Sequence, residues 1–132
     1  MPNNGAILAP VAIGELIDKI TILEIKAERI ADPGKLRNVG NELAGLRAVR
    51  SQAGLDRAEM EPHARELKVL NTALWEIEDE IRELDAKQDF GPRFITLARS
   101  VYQTNDKRAA VKSRINQAFG SAIVEEKLYK GG

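Results

Sequence analysis

The chain has no cysteine among its 132 residues. That removes disulfide staples, thiolate metal sites and thiol nucleophiles together, and it fits a reducing cytoplasm. A single histidine, His63, leaves too few ligands for a zinc site, and no cofactor is expected. Aromatic residues make up 5% of the sequence, too few to line a groove with stacking platforms for single strands. Net charge is zero, from twenty basic and twenty acidic residues, so the basic excess of a general nucleic-acid binder is missing. Long hydrophobic runs are absent. The apolar stretch from Ala6 to Ile13 contains Pro10 and falls far short of the ~20 residues needed to span a bilayer. No Lys or Arg precedes Lys19, so the basic start of a secretory signal is not seen. Gly-rich phosphate loops, serine elbows and His-Glu-x-x-His patterns are not found either. The expected protein is soluble and cytoplasmic, with no nucleic-acid partner and no membrane insertion.

What the sequence does have is helical periodicity. From Met60 to Asp85, apolar residues fall at Leu67, Leu70, Leu74, Ile77, Ile81 and Leu84, in steps of three, four, three, four, three. That is the seam of a long helix packed lengthwise on others. A first helix is predicted over about 13–31, with an apolar arc so wide that it should sit centrally against at least two neighbours. Asp32-Pro33 supplies an N-cap and a first-turn proline for a second helix over about 33–53, with Leu36, Val39, Leu43, Leu46 and Val49 facing inward. Gly40 and Gly45 lie inside it, which reads as close helix contact or as backbone kept bare for a ligand. Ala53-Gly54 marks its end, and Asp56 is placed to cap the next element. Gln88-Asp89-Phe90-Gly91-Pro92 is a turn, with Phe90 expected to plug the end of the bundle. A fourth helix runs from about Pro92 to Phe119, and Gly120 ends it.

Residues 1–12, with two prolines and two asparagines, read as an extended arm in which a short strand is weakly signalled. Residues 121–132 read as a tail whose Ile123, Val124 and Leu128 pack on the body. Length favours one domain over 1–132. Short connections favour antiparallel neighbours. The expected fold is all-α: an antiparallel bundle of about four helices, the two shorter ones lying against a long hairpin of the third and fourth. A hairpin that outreaches its partners leaves a seam for a second copy, so a homodimer is expected, with Trp75, Phe90 and Phe94 as interface candidates.

Three features bear on chemistry. Glu76, Asp79, Glu80 and Glu83 share one helical face, as carboxylates that hold Mg²⁺ do, but the face lies opposite the apolar seam and reads first as solvated. In the fourth helix, Gln103 to Arg108 interrupts the seam: heptads put Thr104 and Arg108 where apolar residues belong, and the row through Ile95, Ala98 and Tyr102 meets Asn105. A charge on a buried seam must be paired. Arg108 is therefore either a register device paired with an acidic residue, or part of an anion or ligand site with Asn105 and Lys112. Replacement of Arg108 by Met separates the two, since a register device should tolerate it. Charge is also segregated along the hairpin: Glu76 to Asp89 has seven acidic and two basic residues, and Gly91 to Arg114 has six basic and one acidic. His63 extends the heptad back from Leu67 and reads as packing near a helix start.

GELIDKITILEIKAERI (Gly14 to Ile30), KLRNVGNEL (Lys35 to Leu43), the segment from Leu74 to Asn116 and SAIVEEKLY (Ser121 to Tyr129) together resemble a family of small bacterial proteins of uncharacterised function. DFGPRF and TNDKR are the most specific parts. The resemblance implies a setting shared with glycosyltransferases and helical-repeat proteins, near surface-polysaccharide assembly, and it brings no catalytic residues. LIDKITILEIKAERI is also similar to the first helix of the all-helical chorismate mutases, whose substrate-binding arginine and following lysine would fall at Arg29 and Lys35; the rest of that pocket cannot be placed here. The leading expectation is a non-enzymatic interaction or accessory module with an unidentified protein partner. The alternative is a small-anion or nucleotide-sugar binding protein, or an enzyme, using Asn105, Arg108 and Lys112.

Overall fold

A computed structural model describes residues 5–128. The first four residues of the arm and the last four of the tail lie outside the described residues. The fold is all-helical: α1 (Ile13–Arg29), α2 (Pro33–Gln52), a 3₁₀ turn (Ala58–Met60), α3 (Glu61–Ala86) and α4 (Pro92–Ala118). No strand forms in the arm or elsewhere among the described residues.

Local chemistry sets the boundaries. The Asp32 carboxylate accepts from the Lys35 N–H at 2.8 Å and Pro33 opens α2, satisfying donors that a helix start leaves unpaired. Gly54, at φ +71°, turns the chain out of α2. Asp56 does not cap the next element. It instead ties back to the end of α2, pairing with Arg50 at 3.0 Å and accepting from Ser51. At the hairpin tip Gln88 takes a left-handed conformation, φ +58°, and the Asp89 N–H returns to the Leu84 carbonyl at 2.9 Å, closing α3 as a glycine commonly does.

The centre of the molecule is α1, which packs on α2, α3 and α4. Its Leu16, Ile17, Ile20 and Leu23 form the core with Val39 and Leu43 of α2, with Leu55 and Met60, and with Leu67, Val111 and Ile115 of the hairpin. The long third helix, with the most regular seam in the sequence, buries only Leu67 and Asn71 fully. α2 lies against α1 rather than along the hairpin, so Val49, expected inward, is exposed. Gly40 and Gly45 are not points of close helix contact, because a Cβ at either would meet nothing within 4 Å. The close approach is at Gly14, where a Cβ would lie 2.5 Å from the Lys112 carbonyl oxygen.

The hairpin is roughly 39 Å long at about 1.5 Å per residue, and α1 covers only its lower part. No side-chain bond from α1 or α2, among the described residues, reaches α3 beyond Glu76 or α4 before Arg108. From Leu74 upward Ile77, Ile81 and Leu84 of α3 and Phe94 and Val101 of α4 are half-buried like Leu74 itself, and of this apolar set only Leu97 is fully buried. Phe90 is 49% exposed. It does not plug the bundle but meets Phe94 edge-on, ring centroids 5.2 Å apart, at the hairpin tip. His63 packs near the start of α3, edge-on to Phe119.

Candidate functional site

The interruption in α4 is where α1, α3 and the tail converge. Asp18 of α1 is fully buried. Its Oδ1 accepts from Arg108 Nε at 2.9 Å and from Asn71 Nδ2 at 2.9 Å, and its Oδ2 accepts from Arg108 Nη2. Asn71 Nδ2 also reaches Thr21 Oγ1 at 3.0 Å, and that hydroxyl donates to the Asp18 carbonyl at 2.8 Å. The node joins three helices, and the two-pronged guanidinium–carboxylate geometry is among the strongest available to protein side chains. The hydrogen bond to Asp18 holds the Arg108 pKa above its ordinary value despite burial.

One turn on, Lys112 meets Glu15 of α1 at 2.7 Å and Glu125 of the tail at 3.3 Å. Burial alone lowers its pKa; the hydrogen bond to Glu15 and the fields of Glu15, Asp18 and Glu125 outweigh that and raise it. Below this pair Asn116, nearly fully buried, accepts from the Gly14 N–H at 2.7 Å through Oδ1. The Ile13 N–H donates to the Ser121 hydroxyl at 3.1 Å, so the tail starts beside the end of the arm.

The three residues singled out in α4 do come together. Asn105, Arg108 and Lys112 line one cleft of ≈ 360 Å³, with Ser113 and Asn116 from the same helix and Glu125 to Lys127 from the tail. The tail is not held by apolar packing as expected: Val124 is 60% and Leu128 96% exposed. Ion pairs fix it instead, Glu125 on Lys112 and Lys127 on Asp106 at 2.8 Å. The sequence singles out neither Asp18 nor Asn71 nor Asn116. The available signal was Asp18 and Thr21 one turn apart on an apolar arc too wide to leave them exposed.

The geometry corrects the expected result of replacing Arg108 by Met. Among the described residues Asp18 is buried with Asn71 as its one other side-chain partner, so the single change strands a carboxylate and destabilises strongly. Tolerance is expected only when Asp18 is replaced as well.

The remaining candidates lie elsewhere. Glu80 holds Arg93 through two bonds of 2.6 and 2.8 Å, and Glu76 pairs with Arg29 at 3.1 Å. No group of three or more His, Asp or Glu among the described residues is arranged to hold a metal ion. Arg29 and Lys35 are absent from the lining of the cleft. Trp75 and Phe94 are half-buried on the upper hairpin. No helix among the described residues is long and apolar enough to cross a membrane.

The family of unknown function DUF6165 matches the chain over residues 9–132. The chain belongs to it. The match takes in all four helices of this DUF6165 fold, the polar node and the tail beside the cleft. No curated protein and no solved structure matches the chain.

Proposed function

We propose that this chain is a non-enzymatic helical interaction module that works as a homodimer through the upper half of its hairpin. The observation that carries the reading is a second seam on α4. Ile95, Ala98, Tyr102, Asn105, Ala109, Lys112 and Asn116 succeed one another in steps of three and four. The lower members face α1 and the tail. The upper ones are left uncovered by the described residues: Ile95 is 55% and Tyr102 56% exposed, beside the half-buried Phe94 and Val101.

A second copy suits this face for an electrostatic reason. The upper part of α3 is acidic and α4 is basic, so two hairpins related by a two-fold axis bring each basic helix against the partner's acidic one. The self-complementary charge leaves the apolar row at the centre, where interfaces carry most of their binding energy. The resemblance carried by DFGPRF and TNDKR extends the proposal to a cytoplasmic accessory of surface-polysaccharide assembly in a bacterium, acting on a protein partner.

Sedimentation velocity over a hundredfold concentration range tests the dimer. Wild type should shift from monomer to dimer, and Ile95→Glu with Tyr102→Glu should remain monomeric with unchanged helicity. Both side chains are exposed, and such surface changes cost about 0.5 kcal/mol or less in folding stability. A wild type that is monomeric throughout, or a dimer unaffected by both changes, overturns the reading.

A further inference from the structure

We propose that the cleft between α4 and the tail is a binding site for a small carboxylate ligand, and that Glu125 occupies the ligand's place until one binds. The inference is independent of the dimer proposal, which rests on the exposed Ile95 and Tyr102 at the other end of α4.

The donors come first. Asn116 is nearly fully buried, and its Oδ1 is committed to the Gly14 N–H at 2.7 Å. That bond fixes the orientation of the carboxamide, because only the oxygen can accept from an N–H. Nδ2 is left with no protein partner among the described residues. No buried side-chain polar atom is unpaired there, so this donor lies at the surface of the cleft that Asn116 lines. Ser113 lines the same cleft, and its hydroxyl has no protein partner among the described residues. Asn105 accepts from Arg108 through its oxygen at 3.4 Å, and its NH₂ has no protein partner among the described residues. With the Lys112 ammonium, the α4 wall of the cleft is a run of donors at positions 105, 112, 113 and 116. Such a wall recognises an acceptor.

The charges narrow the acceptor. Arg108 is matched by Asp18, Lys112 by Glu15, and Lys127 by Asp106. Each pair is neutral without help from the tail's carboxylates. Glu125 is therefore a second carboxylate on an ammonium that already has one, at 3.3 Å against 2.7 Å for Glu15. Exchanging it for a ligand carboxylate leaves the charge count unchanged, whereas a multiply charged anion such as phosphate adds uncompensated charge beside Glu15 and Asp106. The volume of ≈ 360 Å³ lies at the lower end of the range for small-molecule sites.

The tail can give way. From Ala122 to Leu128 no backbone-to-backbone hydrogen bond ties it to the body among the described residues. It leaves α4 through Gly120, whose φ of +67° suits glycine and sets the direction of exit. Its hold on Lys112 is one ion pair from the Glu125 side chain, which is 44% exposed. A pair of that kind competes with a ligand by a factor of about two to five.

The test uses the full-length chain and Glu125→Ala, each titrated with butyrate, a monocarboxylate of one negative charge, while the Asn105 and Asn116 side-chain amides are followed by ¹H–¹⁵N NMR. Saturable shifts of these amides are expected in both proteins, with affinity about two- to fivefold tighter in Glu125→Ala. Sodium chloride at matched ionic strength and phosphate should not reproduce them. Ser113→Val, at a side chain with no structural bond to lose, should weaken binding while leaving the spectrum dispersed. Shifts that fail to saturate, equal affinity in the two proteins, or binding indifferent to Ser113→Val would each overturn the proposal.

Discussion

The lower and upper halves of the α3–α4 hairpin are built from the same seam and end in different environments. Below Leu74, α1 lies along both helices, and Leu67, Val111 and Ile115 are fully buried. Above it the spacing of apolar residues continues unchanged, but Leu74, Ile77, Ile81 and Leu84 remain half-buried because two helices cannot enclose a seam by themselves. The difference is made by the length of α1, 17 residues against 26 and 27. Periodicity reports which face a helix turns inward, and the third element decides how much of that face leaves water.

The largest expected effect is at the polar node that closes the lower half. Asp18→Ala leaves the Arg108 guanidinium without its carboxylate in a partly buried place, and loss of one partner from such a pair costs about 3–5 kcal/mol. Urea unfolding of Asp18→Ala, Arg108→Met and Asp18→Leu with Arg108→Met completes the cycle. The double variant should recover most of the loss. If it is as unstable as either single variant, the pair is not the unit that joins α1 to α4.

Apolar truncation sharpens the comparison directly. Leu67→Ala empties a fully enclosed position and should cost about 2–5 kcal/mol. Ile81→Ala, half-buried in the same seam, should cost about 1–2 kcal/mol. Equal losses at a dilution where the protein is monomeric would mean that the halves do not differ as described.

Much of this fold was legible in advance. Four helices and their turns come from apolar spacing, from Asp32-Pro33 and from the Gln88–Pro92 turn, because those signals are local. The centrality of α1 was legible in its broad apolar arc. What could not be read was which helix lies beside which. α2 has an apolar seam of its own, yet packs mainly along α1, and Val49 faces water. The site shows the same limit. The break at Asn105–Arg108 was visible as a fault in a pattern, while Asp18 and Asn71 complete it from 90 and 37 residues away in sequence, a distance that spacing does not encode. Exposed Val124 and Leu128 fail for another reason: apolar character in a tail is not evidence of burial when ion pairs can anchor it.

Lys112 gives a smaller effect with a definite sign. Its folded pKa is raised above the usual lysine value of about 10.4. Its stabilisation is therefore complete below that value and is lost as pH rises through the higher folded one. Lys112→Met should be less stable than wild type by about 1–2 kcal/mol near neutrality. The gap should hold to about pH 10 and narrow above it. Thermal midpoints of both proteins from pH 7 to 11 check this, and a gap that widens at high pH would refute the assigned pairing with Glu15.

The glycines give effects that differ in sign, and those in α2 are the smallest. At Gly14 an alanine Cβ meets the Lys112 carbonyl at 2.5 Å. Backbone must move, at a cost of about 1–3 kcal/mol, and the helix shift should disturb the node one turn away. At Gly45 nothing lies within 4 Å. Alanine there removes only the entropy cost of glycine in a helix and should stabilise by about 1 kcal/mol, with Gly40→Ala behaving alike. Denaturation midpoints of the three variants therefore separate two uses of one residue type. A glycine in the middle of α2 is a weakness that packing elsewhere absorbs, while the one at the start of α1 is what lets the central helix reach α4 at all. If Gly45→Ala destabilised instead, α2 would have a neighbour that the monomer does not show, and the second copy would have to be sought on that face rather than on the upper hairpin.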